Sequence, residues 1–359
     1  MNAESSATNS SGSAQPDTRD IASAAPAWLE AALAAALVAA VTVVFVATVE
    51  RAASAAERWA AGFVFVMAVG SGLALTVRSF AARARAWLER APARALAAGW
   101  LGWLAFYTAG ALAFERRVPA AVLRLALVGL SAIALWAWRP APGAHGRAAR
   151  DHAAARGVAA ALLLWLSAGF GIVRGLELPW SAAHGVELSE QLVLDLAVWL
   201  FVAARPVPGV GWRLSAGPRA LVLAALAFGA YAAVAAPLGL ALGFLHAGVS
   251  AGGGLALAAR ALRIYAFVAL PEEFLFRGLI QNALERRWPN RPTRAWLTAS
   301  VVFGLAHAGH PPAPNWRYAL LAGLAGLAYG FVWRRTRSIG AAALTHAAVD
   351  FAWSTVFAG

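Results

Sequence analysis

The sequence predicts an all-α protein, a polytopic bundle of about eleven transmembrane helices. Of its 359 residues, 61% are hydrophobic and only 13% are charged, whereas an ordinary globular protein has about 25% charged residues. The apolar residues form long runs, and the arginines fall mainly in alternate loops between these runs. Both features are typical of membrane proteins.

The predicted spans follow one another along the chain. The first run, 27–49, has one charged residue in 23 and is long enough to cross a hydrocarbon core of ~30 Å as a helix. The predicted spans are 27–49, 57–77, 95–114, 118–138, 157–173, 189–204, 218–245, 262–285, 295–310, 318–333 and 338–356. Residues 1–25 lack periodicity and predict a disordered tail. We assign no role to the helices within 26–205, and the Pro/Gly-rich segment 205–219 separates them from the second half.

The distribution of arginine predicts the orientation of the chain. Every basic residue is arginine, and nineteen arginines lie in the loops after the even-numbered spans, against six in the intervening loops. Cytoplasmic loops of membrane proteins carry such an excess. We therefore expect a cytoplasmic N-terminus and a bacterial inner-membrane location. Nucleic acid is not an expected partner, because no basic patch marks a soluble face.

The candidate chemistry lies in the last 100 residues, where polar residues concentrate within predicted spans. No cysteine is present, which excludes disulfides and thiolate catalysis. In PEEFLFRG (271–278), Glu273 and Arg277 are four residues apart in the order that favours a helical ion pair. Glu272 points about 100° away from Glu273, so it is left without a partner on its own helix. Such a carboxylate is a candidate general base. Pro271 predicts a kink.

Two further helical pairs lie at a similar depth in the predicted bundle. Phe303 and His307 are four residues apart, as are His346 and Asp350. With a rise of 1.5 Å per residue, Glu272, His307 and His346 all fall in the central part of the bilayer. Intramembrane ionisable residues usually face a bundle interior or a water-filled cavity. Together these groups predict a hydrolytic centre, whereas Phe303 is predicted to serve packing.

These motifs, in this order, resemble the CPBP family of intramembrane proteases, also called the CAAX protease and bacteriocin-processing family or Abi family. The matching stretches are PEEFLFRG, FGLAH and GLAYGFVWRRTRSIGAAALTHAAVD. The resemblance covers residues 219–357 and implies a protease domain there. The earlier spans resemble no family that we can name.

The resemblance also implies a role for each site residue. Glu272 would activate a water molecule, and His307 would hold and orient that water. His346 and Asp350 would stabilise the oxyanion, while Glu273 and Arg277 would shape the site. Many family members have Asn at the position of Asp350. An ionised Asp cannot donate to an oxyanion, so Asp350 would instead orient His346 or carry a proton.

The expected function is therefore an intramembrane endopeptidase that acts on a membrane-anchored peptide or protein within the lipid bilayer. We expect no cofactor, because a glutamate mechanism needs no metal. Zinc is the alternative, since it accepts His and carboxylate ligands. The competing function is that of a non-catalytic membrane protein, either a pseudoprotease scaffold or a proton-coupled transporter, because buried acids and histidines also serve transport.

Overall fold

The computed structural model describes most of the chain. The described residues are 26–48, 54–89, 91–113, 115, 117–138, 147–178, 186–249 and 253–357. The predicted tail, residues 1–25, lies outside them.

Helices dominate the described residues, as predicted, and each of the eleven predicted spans overlaps a helix. The helices are α1 (Ala27–Thr48), α2 (Ala55–Ala74), α3 (Arg78–Leu88), α4 (Pro92–Ala113), α5 (Ala121–Ala137), α6 (Arg147–Gly169), α7 (Ser189–Val198, continued by the π-helical Trp199–Ala204), α8 (Pro218–Ala241), α9 (Gly254–Arg287), α10 (Pro292–Ala306), α11 (Trp316–Thr336) and α12 (Ile339–Val356). A short antiparallel strand pair, β1 (Glu177–Leu178) and β2 (Val186–Glu187), is the one departure from all-α structure in the described part of the chain.

The number of membrane spans is lower than predicted when the helices are judged by length and apolar character. Four stretches of the described residues qualify, and α2 with α3 adds a fifth if that bent pair is one span. The four stretches are Ala27–Val44, Pro92–Ala113, Pro218–Ala241 and Gly254–Arg287. The count of about eleven spans is therefore not confirmed.

Short or enclosed helices account for much of the difference. α10 has 15 residues and rises about 22 Å, which is less than the ~30 Å hydrocarbon core. α12 buries Ala341, Ala342 and Ala343 completely among its neighbours. A helix enclosed by protein does not need the apolar outer surface that lipid requires.

The arginine-bearing segment 78–94, predicted as a loop, contains helix α3. This helix turns by 94° from α2. Ala81, Ala84 and Leu88 form its buried face, and Arg83 and Arg85 are exposed. The apolar positions are spaced three and four residues apart, which is the pattern of an amphipathic surface helix.

α9 carries both glutamates and is not α-helical throughout. Two π-helical stretches, Tyr265–Ala269 and Phe274–Gln281, flank the α-helical Leu270–Glu273. Pro271, where a kink is predicted, lies within this continuous helical stretch, and the kink stays a prediction. A proline lacks the backbone donor and crowds the preceding carbonyl of an α-helix, and the π spacing before Pro271 changes that contact. π turns inside helices often mark functional sites.

α10 and α11 approach each other through small residues. A Cβ atom added to Gly304 would lie 2.5 Å from the carbonyl oxygen of Ala319 and 2.9 Å from Cα of Gly323. Only glycine permits this contact between backbones, as in other closely packed helix pairs. The contact fixes the end of α10, where His307 lies, against α11.

Candidate active site

The structure brings the six predicted site residues together in one cluster. Glu272, Glu273 and Arg277 come from α9, His307 follows α10, and His346 and Asp350 come from α12. The helices that form the cluster are distant in sequence. Each ionisable group has a neighbour on another helix or one turn away on the same helix.

The predicted ion pair between Glu273 and Arg277 is present and buried. Glu273 Oε2 lies 3.1 Å from Arg277 Nε, and both side chains are essentially inaccessible. The guanidinium carbon lies 4.6 Å from the ring centre of Phe303 and 5.4 Å from that of Tyr329. Aromatic faces attract a desolvated cation, so the rings stabilise the arginine that neutralises Glu273.

Glu273 has a second partner that the sequence did not reveal. Its Oε1 lies 3.0 Å from Nδ1 of His346. A carboxylate only accepts hydrogen bonds, so Nδ1 carries the proton and donates to Glu273. The two oxygens of Glu273 thus hold Arg277 on one side and orient the His346 ring on the other.

Glu272 occupies a different environment, as the 100° offset predicted. Its Oε2 lies 3.9 Å from His307 Nε2 and 3.9 Å from His346 Nε2. These distances exceed a direct hydrogen bond. Oε2 is buried without a hydrogen-bond partner among the described residues, although 27% of the Glu272 side chain is exposed.

His307 lies one residue beyond the end of α10, not inside a span as predicted. It is the C-cap residue, and its Nδ1 lies 2.8 Å from the carbonyl oxygen of Phe303. A carbonyl only accepts, so Nδ1 carries the proton and Nε2 faces Glu272. The Phe303 ring packs edge-on to His346, 5.8 Å between centres, in agreement with its predicted packing role.

Asp350 and Tyr329 complete the surroundings of His346. Asp350 Oδ2 lies 3.4 Å from His346 Nε2, as the helical spacing predicted. Tyr329 stacks on the imidazole, with ring centres 4.5 Å apart and planes 13° apart. Sequence reasoning missed Tyr329, because it lies in the Gly-rich helix of the motif and has no polar partner at helical spacing.

A metal site is not evident in the arrangement of side chains. No group of three or more His, Cys, Asp or Glu residues in the described ranges has the geometry to hold an ion. The expectation of a metal-independent site stays a prediction.

Comparisons with known proteins agree with the predicted resemblance. Residues 254–352 match the family model described as type II CAAX prenyl endopeptidase Rce1-like, and this stretch contains all six clustered residues. Searches of curated proteins and of solved structures found no match. The match shows that residues 254–352 are similar to the CPBP family, a family of proteases, and it supports a membrane endopeptidase as the general class of this protein.

Proposed function

We propose that this protein is an intramembrane endopeptidase in which Glu272 activates the water that attacks a peptide carbonyl. The observation that carries the proposal is the position of Glu272 Oε2, which lies 3.9 Å from the Nε2 atoms of both His307 and His346. A polar separation of this size suits a bridging water molecule. Glu272 Oε2 is itself buried, so a water molecule bound to it lies at the inner end of the exposed part of the site.

A water molecule between Glu272 and His307 would have two hydrogen-bond acceptors to orient it. His307 donates from Nδ1, so its Nε2 is an acceptor, as is the ionised Glu272 carboxylate. A water molecule has two protons and can donate one to each. Its two lone pairs then point away from both acceptors, towards a substrate carbonyl. Holding a reactant in this way lowers the entropic part of the barrier.

The proposed reaction is a proton transfer coupled to addition. Glu272 takes a proton from water as the oxygen bonds to the carbonyl carbon, which gives a tetrahedral oxyanion. The same proton then passes from Glu272 to the leaving nitrogen, the C–N bond breaks, and a carboxylic acid and an amine result. General acid–base catalysis of this kind contributes typically 10²–10⁴-fold.

His346 is the proposed electrophile for the oxyanion. When its ring carries both protons, Nδ1–H donates to Glu273 and Nε2–H faces Glu272 and Asp350. A fixed positive ring beside the developing charge stabilises the transition state. Asp350 is an acceptor when ionised, so we assign it the orientation of His346 in place of direct donation to the oxyanion.

The proposed substrate is a membrane-anchored peptide or protein, such as one with a C-terminal sorting tail. We propose that cleavage occurs in the bacterial inner membrane and requires no metal. Comparative mass spectrometry of membrane peptides from cells with the wild type and with Glu272→Ala tests this. Fragments should appear only with the wild type, and their production should persist in the presence of chelators. If zinc is needed to restore cleavage after chelation, the glutamate mechanism is wrong.

The proposed orientation places the N-terminus and α3 on the cytoplasmic side. The excess of arginine in the loops after the even-numbered predicted spans supports this orientation, because positively charged loops are retained in the cytoplasm. A reporter inserted in 78–94 should therefore show cytoplasmic activity. A control insertion between α1 and α2, near Arg51, should report the exterior. The reverse result would overturn this orientation.

A further inference from the structure

The segment between α7 and α8 contacts both halves of the protein. We call residues 207–216 the junction segment; they lie outside the stretch that matches the family model. Gly209 and Gly211 have positive φ angles of 77° and 75°, a conformation that glycine adopts without steric cost. These two turns fold the segment against the ends of several helices.

On one side, the junction segment holds the start of α12. Ile339 N donates to the Gly211 carbonyl and Gly340 N to the Arg213 carbonyl, both at 2.9 Å. The Ser338 hydroxyl donates to the Ser215 carbonyl at 3.2 Å. The first amides of a helix have no partner within it, so the junction segment supplies acceptors at the beginning of the helix that carries His346.

The junction segment also contacts α9 and α11. Asn282 Nδ2 of α9 donates to the Pro208 carbonyl at 2.8 Å, and Trp333 Nε1 of α11 donates to the Val210 carbonyl at 3.2 Å. The Trp212 ring packs edge-on to Phe274, with centres 5.1 Å apart. Phe274 directly follows Glu273, so the segment reaches the helix that carries both glutamates.

On the other side, α1 and α2 hold the junction segment. Glu30 of α1 is 5% exposed; it accepts from the Leu214 amide at 3.0 Å, the Ser215 amide at 3.1 Å and the Ser215 hydroxyl. Trp212 Nε1 donates to the Gly72 carbonyl of α2 at 3.0 Å. A carboxylate that accepts several backbone bonds forms strong, charge-assisted contacts.

We propose that Glu30 is a positioning residue for the peptidase site and that the N-terminal helices act through it. Glu30 fixes Leu214 and Ser215, the junction segment fixes the start of α12, and α12 sets where His346 stands relative to Glu272. This inference rests on the proposed function for its kinetic consequence. Through Glu30, the helices within 26–205 contribute to catalysis, although no sequence motif in them indicates such a role.

Kinetics of Glu30 variants test the proposal. Glu30→Ala should lower kcat per folded molecule about tenfold, because small displacements of catalytic groups cost rate steeply. Glu30→Gln keeps one acceptor and should fall between Glu30→Ala and the wild type. KM should change less than about twofold, since the contact is remote from bound substrate. An unchanged kcat per folded molecule, with only the yield of protein reduced, would overturn the proposal.

Glu57 provides a matched control. It is also a buried glutamate, 9% exposed, and it caps α2 by accepting from the Ser54 amide at 2.8 Å. It lies fifteen residues before Gly72, roughly 22 Å along α2. Glu57→Ala should leave kcat per folded molecule at the wild-type value. An equal loss of kcat in Glu57→Ala and Glu30→Ala would contradict a specific path through the junction segment.

A second measurement does not depend on peptidase activity. Amide hydrogen exchange of the full chain should be faster at Ile339 and Gly340 in Glu30→Ala than in the wild type or Glu57→Ala, because those amides donate to the junction segment. Unchanged exchange there would refute the coupling even if the protein cleaves peptides. Faster exchange in a protein that proves to have no peptidase activity would support the coupling and contradict the proposed function separately.

Discussion

Replacing Glu272 by Gln should abolish peptide hydrolysis and leave the protein folded. The amide has the same shape but cannot take a proton from water, so kcat should fall by about 10²–10⁴. The fold should tolerate the change, because Glu272 Oε2 makes no hydrogen bond within the described residues. Turnover of a membrane peptide by purified protein, together with a thermal unfolding curve, measures both effects.

The histidines provide the control for this prediction. His307→Ala should lower kcat, while Glu272→Gln with His307→Ala should be scarcely worse than either single variant, because residues acting as a unit are strongly non-additive. His310 stacks on His307, with ring centres 5.8 Å apart, and it is exposed. His310→Ala should therefore retain most activity. Multiplicative losses for Glu272 and His307 would show that they do not act on one step.

Replacing Glu273 by Ala should destabilise the protein and also impair catalysis. It leaves Arg277 buried without its carboxylate, and breaking a buried ion pair typically costs ~3–5 kcal/mol. It also removes the acceptor of His346 Nδ1–H, so the imidazole loses its orientation. Protein yield, unfolding temperature and kcat should all fall, whereas Glu272→Gln should lower kcat alone.

A double variant separates the two roles of Glu273. Glu273→Ala with Arg277→Met removes the uncompensated charge, so it should recover part of the lost stability; replacing a buried pair by apolar groups is often tolerated. Activity should stay low, because His346 still lacks its acceptor. Normal stability of Glu273→Ala would refute the structural role, and full activity of the double variant would refute the orienting role.

Helical spacing predicted the parts of the site that lie within one helix. The pairs Glu273–Arg277 and His346–Asp350 follow from the 3.6-residue turn, and the shared depth of Glu272, His307 and His346 anticipated that they would meet. Long apolar runs likewise predicted where helices lie, since each predicted span overlaps a helix. The evidence for each pair lies within about one turn, and the evidence for each helix lies within one apolar run.

The particular bonds between helices could not be predicted from the sequence. The bond from His346 to Glu273 joins residues 73 positions apart, and Glu30 and Ser215 are 185 apart. Spacing shows which face a residue occupies but not which helix faces it. The same limit explains why the count of about eleven spans is not confirmed, since an apolar run predicts burial equally well in protein and in lipid.

The contact between Gly304 and α11 has a consequence for how the site responds to its lipid surroundings. Helices accommodate a thinner or thicker bilayer by tilting. Because the backbones of α10 and α11 touch at Gly304 and Gly323, neither helix can tilt alone without a steric clash. The two helices would move together, so a change in bilayer thickness would shift His307 and Tyr329 at the same time and in the same direction.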